Sequence, residues 1–271
     1  MISRVSLIAL AVGLMVGCAT AEPDVLTFEE FQAQAYQEPD TGMYVLNGDE
    51  LVENELLLHE AYGAYVASVA DAADRAAGLS TTSQPLIVNV VRGQDDKWSA
   101  SAALNITYCV SQSSFGSRYS TVVSAMSSAA GAWEAAANVN FVHASQYDGN
   151  CNGRTPVVFD VRQVETSQYL ARAFFPSTNR RNRNVLIASA SFGNIKPWSL
   201  TGVLRHELGH ALGFRHEHTR PEAGVCFEDN KWRALTAYDS SSVMHYPQCN
   251  GTQNGDLVLT NLDKAGAAAL Y

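Results

Sequence analysis

The sequence has no hydrophobic run long enough to cross a bilayer as a helix; its apolar stretch from Val5 to Val16 falls short of the roughly 20 residues required. It also lacks a dense basic patch interleaved with aromatics, and its 18 Lys and Arg are outnumbered by 27 Asp and Glu, so nucleic acid is excluded as a partner. There is no internal repeat and no low-complexity tract, which excludes a solenoid. Charged residues reach only 17% against 46% hydrophobic, so the chain is globular rather than disordered. Cysteines are few, and no two of Cys109, Cys151, Cys226 and Cys249 stand at close ligand spacing, which leaves a four-thiolate metal site unsupported.

What is present begins with an export signal. Met1-Ile2-Ser3-Arg4 supplies a positive n-region and Val5 to Val16 an apolar h-region. The segment ends in Leu14-Met15-Val16-Gly17-Cys18, which resembles a bacterial lipobox. Cys18 is therefore expected to carry a lipid, the competing reading being ordinary cleavage near Ala19 or Ala21. Residues 1–17 are read as the signal peptide of a protein exported from a bacterial cell. Its membrane contact is expected through that lipid alone, at the outer membrane or cell surface; without the lipid it would be secreted. The four remaining cysteines, an even number in an exported protein, imply two disulfides. Of three connectivities, Cys109–Cys151 with Cys226–Cys249 is preferred because each pair would bracket one half of the domain inferred below.

The net charge of −9 conceals an asymmetry. Ala19 to Thr82 holds thirteen acidic residues and one basic residue, Arg75, whereas Ser83 to Tyr271 holds fourteen acidic and sixteen basic. Such a division fits a detachable segment, residues 18–82, lying against a domain spanning 83–271. Within the acidic segment, Thr27-Phe28-Glu29-Glu30 has capping-box spacing, and Asp49 to about Leu79 reads as one long helix closed by Gly78 and the following Ser-Thr run. The boundary is placed near Ser83-Gln84-Pro85. Beyond it, strands are expected at Leu86–Val91, Leu104–Val110, Asn140–His143, Val157–Val161, Tyr169–Phe175 and Val185–Ala190, with a helix from about Ser120 to Ala137. This order predicts an α/β (α+β) fold, a mixed sheet covered by helices. The cluster Asn179-Arg180-Arg181-Asn182-Arg183-Asn184 is read as a solvated loop in preference to a protease-sensitive loop or an acidic-substrate subsite.

The chemistry is carried by His206-Glu207-Leu208-Gly209-His210-Ala211-Leu212-Gly213-Phe214-Arg215-His216. His206 and His210, four apart, project from one helix face, the spacing two imidazoles need to share an ion. Ser199 or Thr201 is placed to cap that helix. Gly213 can take a positive φ, so the helix can stop and bring His216 to the same metal. Glu207, beside the first ligand, is placed to take a proton from an activated water.

This pattern resembles the extended motif of the metzincin zinc peptidases. Ser241-Ser242-Val243-Met244-His245-Tyr246-Pro247 resembles their Met-turn, in the form found in the astacin-like branch, and a bacterial sister family of the astacins fits best. The resemblance implies one zinc on His206, His210 and His216 and Glu207 as general base. It further implies Met244 beneath the metal, and Tyr246 as an additional ligand that swings away to stabilise the transition state. The expected activity is hydrolysis of peptide or protein substrates by a monomer with a zincin-like fold. Glu217 would anchor a freed N-terminus or an internal partner, and His218 would lie at the surface or behind the ligands. Tyr169–Phe175 is the expected edge strand for an extended substrate. Leu46-Asn47-Gly48-Asp49 resembles the astacin pro-segment motif whose aspartate blocks the zinc; the competing reading makes Asp49 a plain N-cap of the long helix. The rival function is a non-catalytic, lipid-anchored binding protein on a protease-like fold, which would have no use for Glu207.

Overall fold

The computed structural model describes residues 25–76, 86–253 and 255–271. The signal segment with Cys18, and the expected boundary with Gly78 and Ser83-Gln84-Pro85, lie outside these residues. No helix among those described is long and apolar enough to cross a membrane.

The N-terminal segment opens with α1 (Phe28–Gln34), whose Thr27–Glu30 capping box forms as its spacing predicts. Three short antiparallel strands follow, β1 (Tyr36–Gln37), β2 (Tyr44–Leu46) and β3 (Glu50–Val52). The long helix α2 runs from Glu55 to Ala76. The expected helix from Asp49 is therefore wrong over its first turns. Asn47 and Gly48 both have positive φ (55° and 97°) and turn β2 back onto β3, so Asp49 sits at a hairpin tip. Asn54, whose Oδ1 accepts from the Leu57 amide at 3.1 Å, caps α2 instead.

The remaining chain builds a three-stranded antiparallel sheet and a five-stranded mixed sheet, with helices packed around them. β4 (Ile87–Val91) pairs with β5 (Gln94–Asp95) and, later in the chain, with β11 (Trp232–Ala234). After the short α3 (Ala100–Ala103) comes β6 (Ile106–Val110), then the short α4 (Gln112–Phe115) and α5 (Tyr119–Glu134). α5 is a 16-residue helix that buries Val122, Met126, Ala129, Ala130 and Trp133 along one face. β7 (Phe141–His143), β8 (Phe159–Val164), β9 (Ala171–Arg172) and β10 (Asn184–Ala188) complete a five-stranded sheet of order β7-β6-β8-β10-β9. The four strands β6, β7, β8 and β10 run parallel and read as Val/Ile-rich; β9 is antiparallel at the edge. The mixed sheet is as expected, but only two residues of Tyr169–Phe175 pair, and the Val157 strand begins at Phe159. Helix α6 (Leu200–Ala211) packs on α5, joined by the Trp133 indole donating to the Arg205 carbonyl at 2.9 Å. Helix α7 (Asn261–Leu270) closes the chain, its Thr260–Asp263 capping box in place. Disulfides join Cys109 to Cys151 and Cys226 to Cys249.

The Asn- and Arg-rich cluster is solvated only in part: Asn179 and Arg181 are exposed, but their neighbours are tied down. Arg180 donates to the Val157 and Thr155 carbonyls, and Arg183 donates to Thr178 and Pro176 while lying over the Trp98 ring. Asn179 and Asn182 both donate to Glu53 of the N-terminal segment. Three acidic side chains of that segment bind the domain: Glu38 meets Arg172, Glu50 meets Arg215, and Glu53 meets the two asparagines.

Candidate metal centre

Ser199, not Thr201, caps α6, its Oγ accepting from the Gly202 amide at 3.0 Å. One turn apart on the buried face stand His206 and His210. The helix ends at Gly213, whose φ is +99°; a Cβ there would also lie 2.1 Å from the Asp96 carbonyl oxygen. The chain then docks on β4, with Asn89 N donating to the Gly213 carbonyl at 2.8 Å and Arg215 N to the Ile87 carbonyl at 3.1 Å. That pairing delivers His216 to the same point, its Nε2 3.2 Å from Nε2 of both His206 and His210.

Each Nδ1 faces an acceptor: the Val243 carbonyl at 2.7 Å for His206, the Phe214 carbonyl at 2.8 Å for His210, and Glu228 Oε1 at 2.7 Å for His216. Each Nδ1 must therefore carry the proton, leaving three Nε2 lone pairs aimed inward. The Asp49 carboxylate faces the same point, 3.2 Å from His206 Nε2, 3.5 Å from His210 Nε2 and 3.1 Å from His216 Nε2. Four buried groups presenting lone pairs to one another repel unless a cation lies among them, and three imidazoles with one carboxylate are a zinc donor set. Burial opposes the charge on Asp49, but His216 and His210 outweigh it and hold the carboxyl well below its usual range. Burial likewise opposes positive charge at His216, and Asp49 with Glu228 overcomes it, raising its pKa above the ordinary value; the same anionic field favours a metal cation in place of a proton at Nε2.

Glu207 is buried beside this cluster, and its Oε2 has no hydrogen-bond partner. Burial, and next the charge of Asp49, push its carboxyl well above the ordinary value. The Tyr246 hydroxyl donates to Asp49 Oδ2, and its ring stacks 5.4 Å from that of His206. A Cβ on Gly48 would lie 3.1 Å from the Tyr246 oxygen, so the hairpin tip passes close because it carries none. Met244 is fully buried under α6: a Cβ on Gly209 would meet its Sδ at 2.3 Å. The turn that bears Met244 is held by Asp263 of α7, which accepts from Ser242 Oγ at 2.5 Å and Val243 N at 2.9 Å.

His218 is not at the surface. It lies behind the ligands, its Nε2 3.2 Å from Glu228 and its Nδ1 accepting from the Tyr246 amide. Glu217 is buried with an internal partner, Arg220, at 3.1 Å; burial raises its carboxyl to about 8. Glu228, Arg215 and Glu50, which brace His216, carried no motif; Arg215 holds Glu50, Glu228 and Asp229 together. Beside the histidines lies a cleft of about 220 Å³, lined by Gly48, Asp49, Tyr169 to Ala171, Trp198, His206, Glu207 and Tyr246. The segment's hairpin tip thus forms part of its wall.

A profile of the matrixin family matches residues 97–223, a little under half of the chain. Among curated proteins, the chain is 33% identical over 81 residues to Protein SpAN of Strongylocentrotus purpuratus, covering 23% of this chain and 13% of that one. It is 39% identical over 62 residues to high choriolytic enzyme 1 of Oryzias latipes, covering 17% and 23%. It is also 39% identical over 64 residues to a bone morphogenetic protein 1 homolog of S. purpuratus, covering 17% and 10%. The chain spans less than a quarter of the length of these relatives. These likenesses support a metzincin metallopeptidase and make zinc the metal that the histidine cluster fits.

Proposed function

We propose that the protein is a zinc-dependent endopeptidase, made as a zymogen that Asp49 keeps latent. The observation that carries this reading is the convergence of three Nε2 atoms beside a buried Glu207 whose Oε2 has no hydrogen-bond partner. His206, His210 and His216 would hold zinc, which when bound polarises the scissile carbonyl and acidifies a water. Glu207 takes that water's proton and delivers it to the leaving amine. Its raised affinity for protons, caused by burial first, suits a base that must later act as an acid. Tyr246, freed of Asp49, turns its hydroxyl to the developing oxyanion. Met244 packs under the helix that carries two of the ligands.

While the N-terminal segment is docked, Asp49 occupies the point on which the ligands converge and takes the Tyr246 hydroxyl. Removal of residues 18–82 would clear both. We also place the uncut zymogen outside the cell, on a lipid at Cys18 that would leave with residues 18–82, in a bacterial branch related to the astacins.

The test is zinc content and casein hydrolysis for the chain freed of its N-terminal segment, comparing wild type with Glu207→Ala. Bound zinc is expected in both, with hydrolysis reduced roughly a hundredfold to ten-thousandfold in the variant, the usual contribution of a general base. Stoichiometric zinc without turnover of any member of a broad peptide library would refute the reading.

A further inference from the structure

We propose that Arg172, Tyr169 and Asn184 form a carboxylate-binding subsite beside the cleft, filled by Glu38 in the docked state and taken by an acidic substrate side chain once the segment leaves. This rests on the peptidase reading above and deepens it by naming a substrate class.

Arg172 is completely buried, and among the described residues its salt bridge is to Glu38 alone. The pair is bidentate, Nε to Oε1 at 2.7 Å and Nη2 to Oε2 at 2.9 Å, and the Tyr169 hydroxyl donates to the same Oε1 at 3.0 Å. Nη1 is held by Asn184 Oδ1 at 2.7 Å, which fixes the plane of the guanidinium independently of Glu38. Glu38 belongs to the N-terminal segment, as does Thr41, whose hydroxyl also donates to Oε2 at 2.9 Å; the Arg172 and Tyr169 donors belong to the domain. When the segment goes, the donors remain in place and the guanidinium, uncovered, is left without its counter-charge.

The location makes this a substrate site rather than a bare structural bridge. Arg172 is in β9, the sheet edge, and Tyr169, Leu170 and Ala171 just before it line the cleft that holds Glu207. A peptide added to that edge would present alternate side chains on the face of Arg172. In the docked state a cavity of about 330 Å³ lies there between Tyr36, Glu38 and Thr41 of the segment and Tyr169, Arg172 and Leu186 of the domain. Its apolar part is covered by Tyr36 and Val45 of the segment, packed with Tyr169, Leu186 and Val164. The ligand it fits is a glutamate or aspartate side chain with an apolar neighbour, which Glu38 and the flanking β1–β2 hairpin imitate.

The experiment uses the full chain, folded with a specific protease site inserted between residues 77 and 85, then cut and separated from its N-terminal segment. Paired fluorogenic peptides carry Glu or Gln at each position around the scissile bond. At one position kcat/KM should favour Glu by about tenfold or more, the size given by charge-assisted hydrogen bonds. The ratio should collapse toward one in Arg172→Gln and fall partway in Tyr169→Phe, which keeps the ring and decides the matter if the arginine variant does not fold. Cleavage of neutral peptides with no Glu preference at any position, or a preference that survives Tyr169→Phe undiminished, would overturn the subsite alone. Bound zinc without cleavage of any peptide would overturn the peptidase reading and this inference with it.

Discussion

Replacing Asp263 with Asn tests how far the metal centre depends on a residue that touches no ligand. The Asp263 carboxylate is fully buried and accepts from the Ser242 hydroxyl at 2.5 Å and the Val243 and Thr260 amides, each at 2.9 Å. Asparagine keeps the shape but turns one acceptor oxygen into a donor. Since Oδ2 serves both amides and Oδ1 the hydroxyl, Nδ2 toward the amides sets donor against donors, whereas Nδ2 toward Ser242 makes the hydroxyl turn and accept, its own proton losing its acceptor. The hydroxyl can rotate and the amides cannot, so the less costly orientation sacrifices the Ser242 bond. A buried donor without its acceptor costs about 1–3 kcal/mol, and at about 2–4 °C per kcal/mol for a chain of this size the melting temperature should fall by roughly 2–12 °C. The Val243 carbonyl also orients His206, so zinc affinity should drop by about tenfold to a hundredfold, as for partners that position metal ligands. Calorimetry and competition with a chromogenic chelator measure the two quantities. Unchanged melting and unchanged zinc affinity in Asp263→Asn would refute the argued coupling between α7 and the metal through the Met244 turn.

Asp49→Ala in the uncut chain should raise basal peptidase activity by about tenfold to a hundredfold, as the charge-assisted contacts that favour the blocked state are lost; unchanged turnover would rule out the latency role. Gly209→Ala, whose Cβ would lie 2.3 Å from Met244 Sδ and 3.1 Å from the Trp133 ring, should destabilise the fold by about 1–3 kcal/mol through overpacking, measured by denaturant melts. Burial tends to raise the Glu38 carboxyl, but Arg172 outweighs it and holds the group below its model-peptide value. Its contribution to docking is therefore complete above the unfolded pKa of about 4.5 and lost as pH falls through the lower, folded value. Susceptibility of the N-terminal segment to limited proteolysis should rise across that acid window in wild type and be flatter in Glu38→Gln.

The centre was legible in the sequence where its geometry is local. The His206–His210 spacing, the Gly213 stop and the caps at Ser199 and Thr260 each follow from a few consecutive residues. The N-terminal segment departs from the expected helix because Glu50 to Glu55, though rich in helix formers, follows an Asn47-Gly48 pair that turns Tyr44–Leu46 back onto Glu50–Val52. Arg172 and Glu228 carried no local signal. One lies at a sheet edge and the other a dozen residues beyond His216, and only the folded chain brings them to Glu38 and to the imidazole. The Arg-rich loop was misread for the same reason: its partners at Val157, Thr155 and Trp98 are distant in sequence.

The return of the chain from Gly213 along β4 makes three-point coordination a property of the assembled domain rather than of one helix. An isolated α6 offers an ion two imidazoles, and the third arrives only when Asn89 and Ile87 have captured the backbone around Arg215. A divalent ion held by all three histidines therefore stabilises the docked arrangement over any partly assembled one, by mass action. Metal loading would then double as proofreading of assembly: a chain whose Arg215 backbone has not docked on β4 would retain ions poorly, and one that retains them would already have docked.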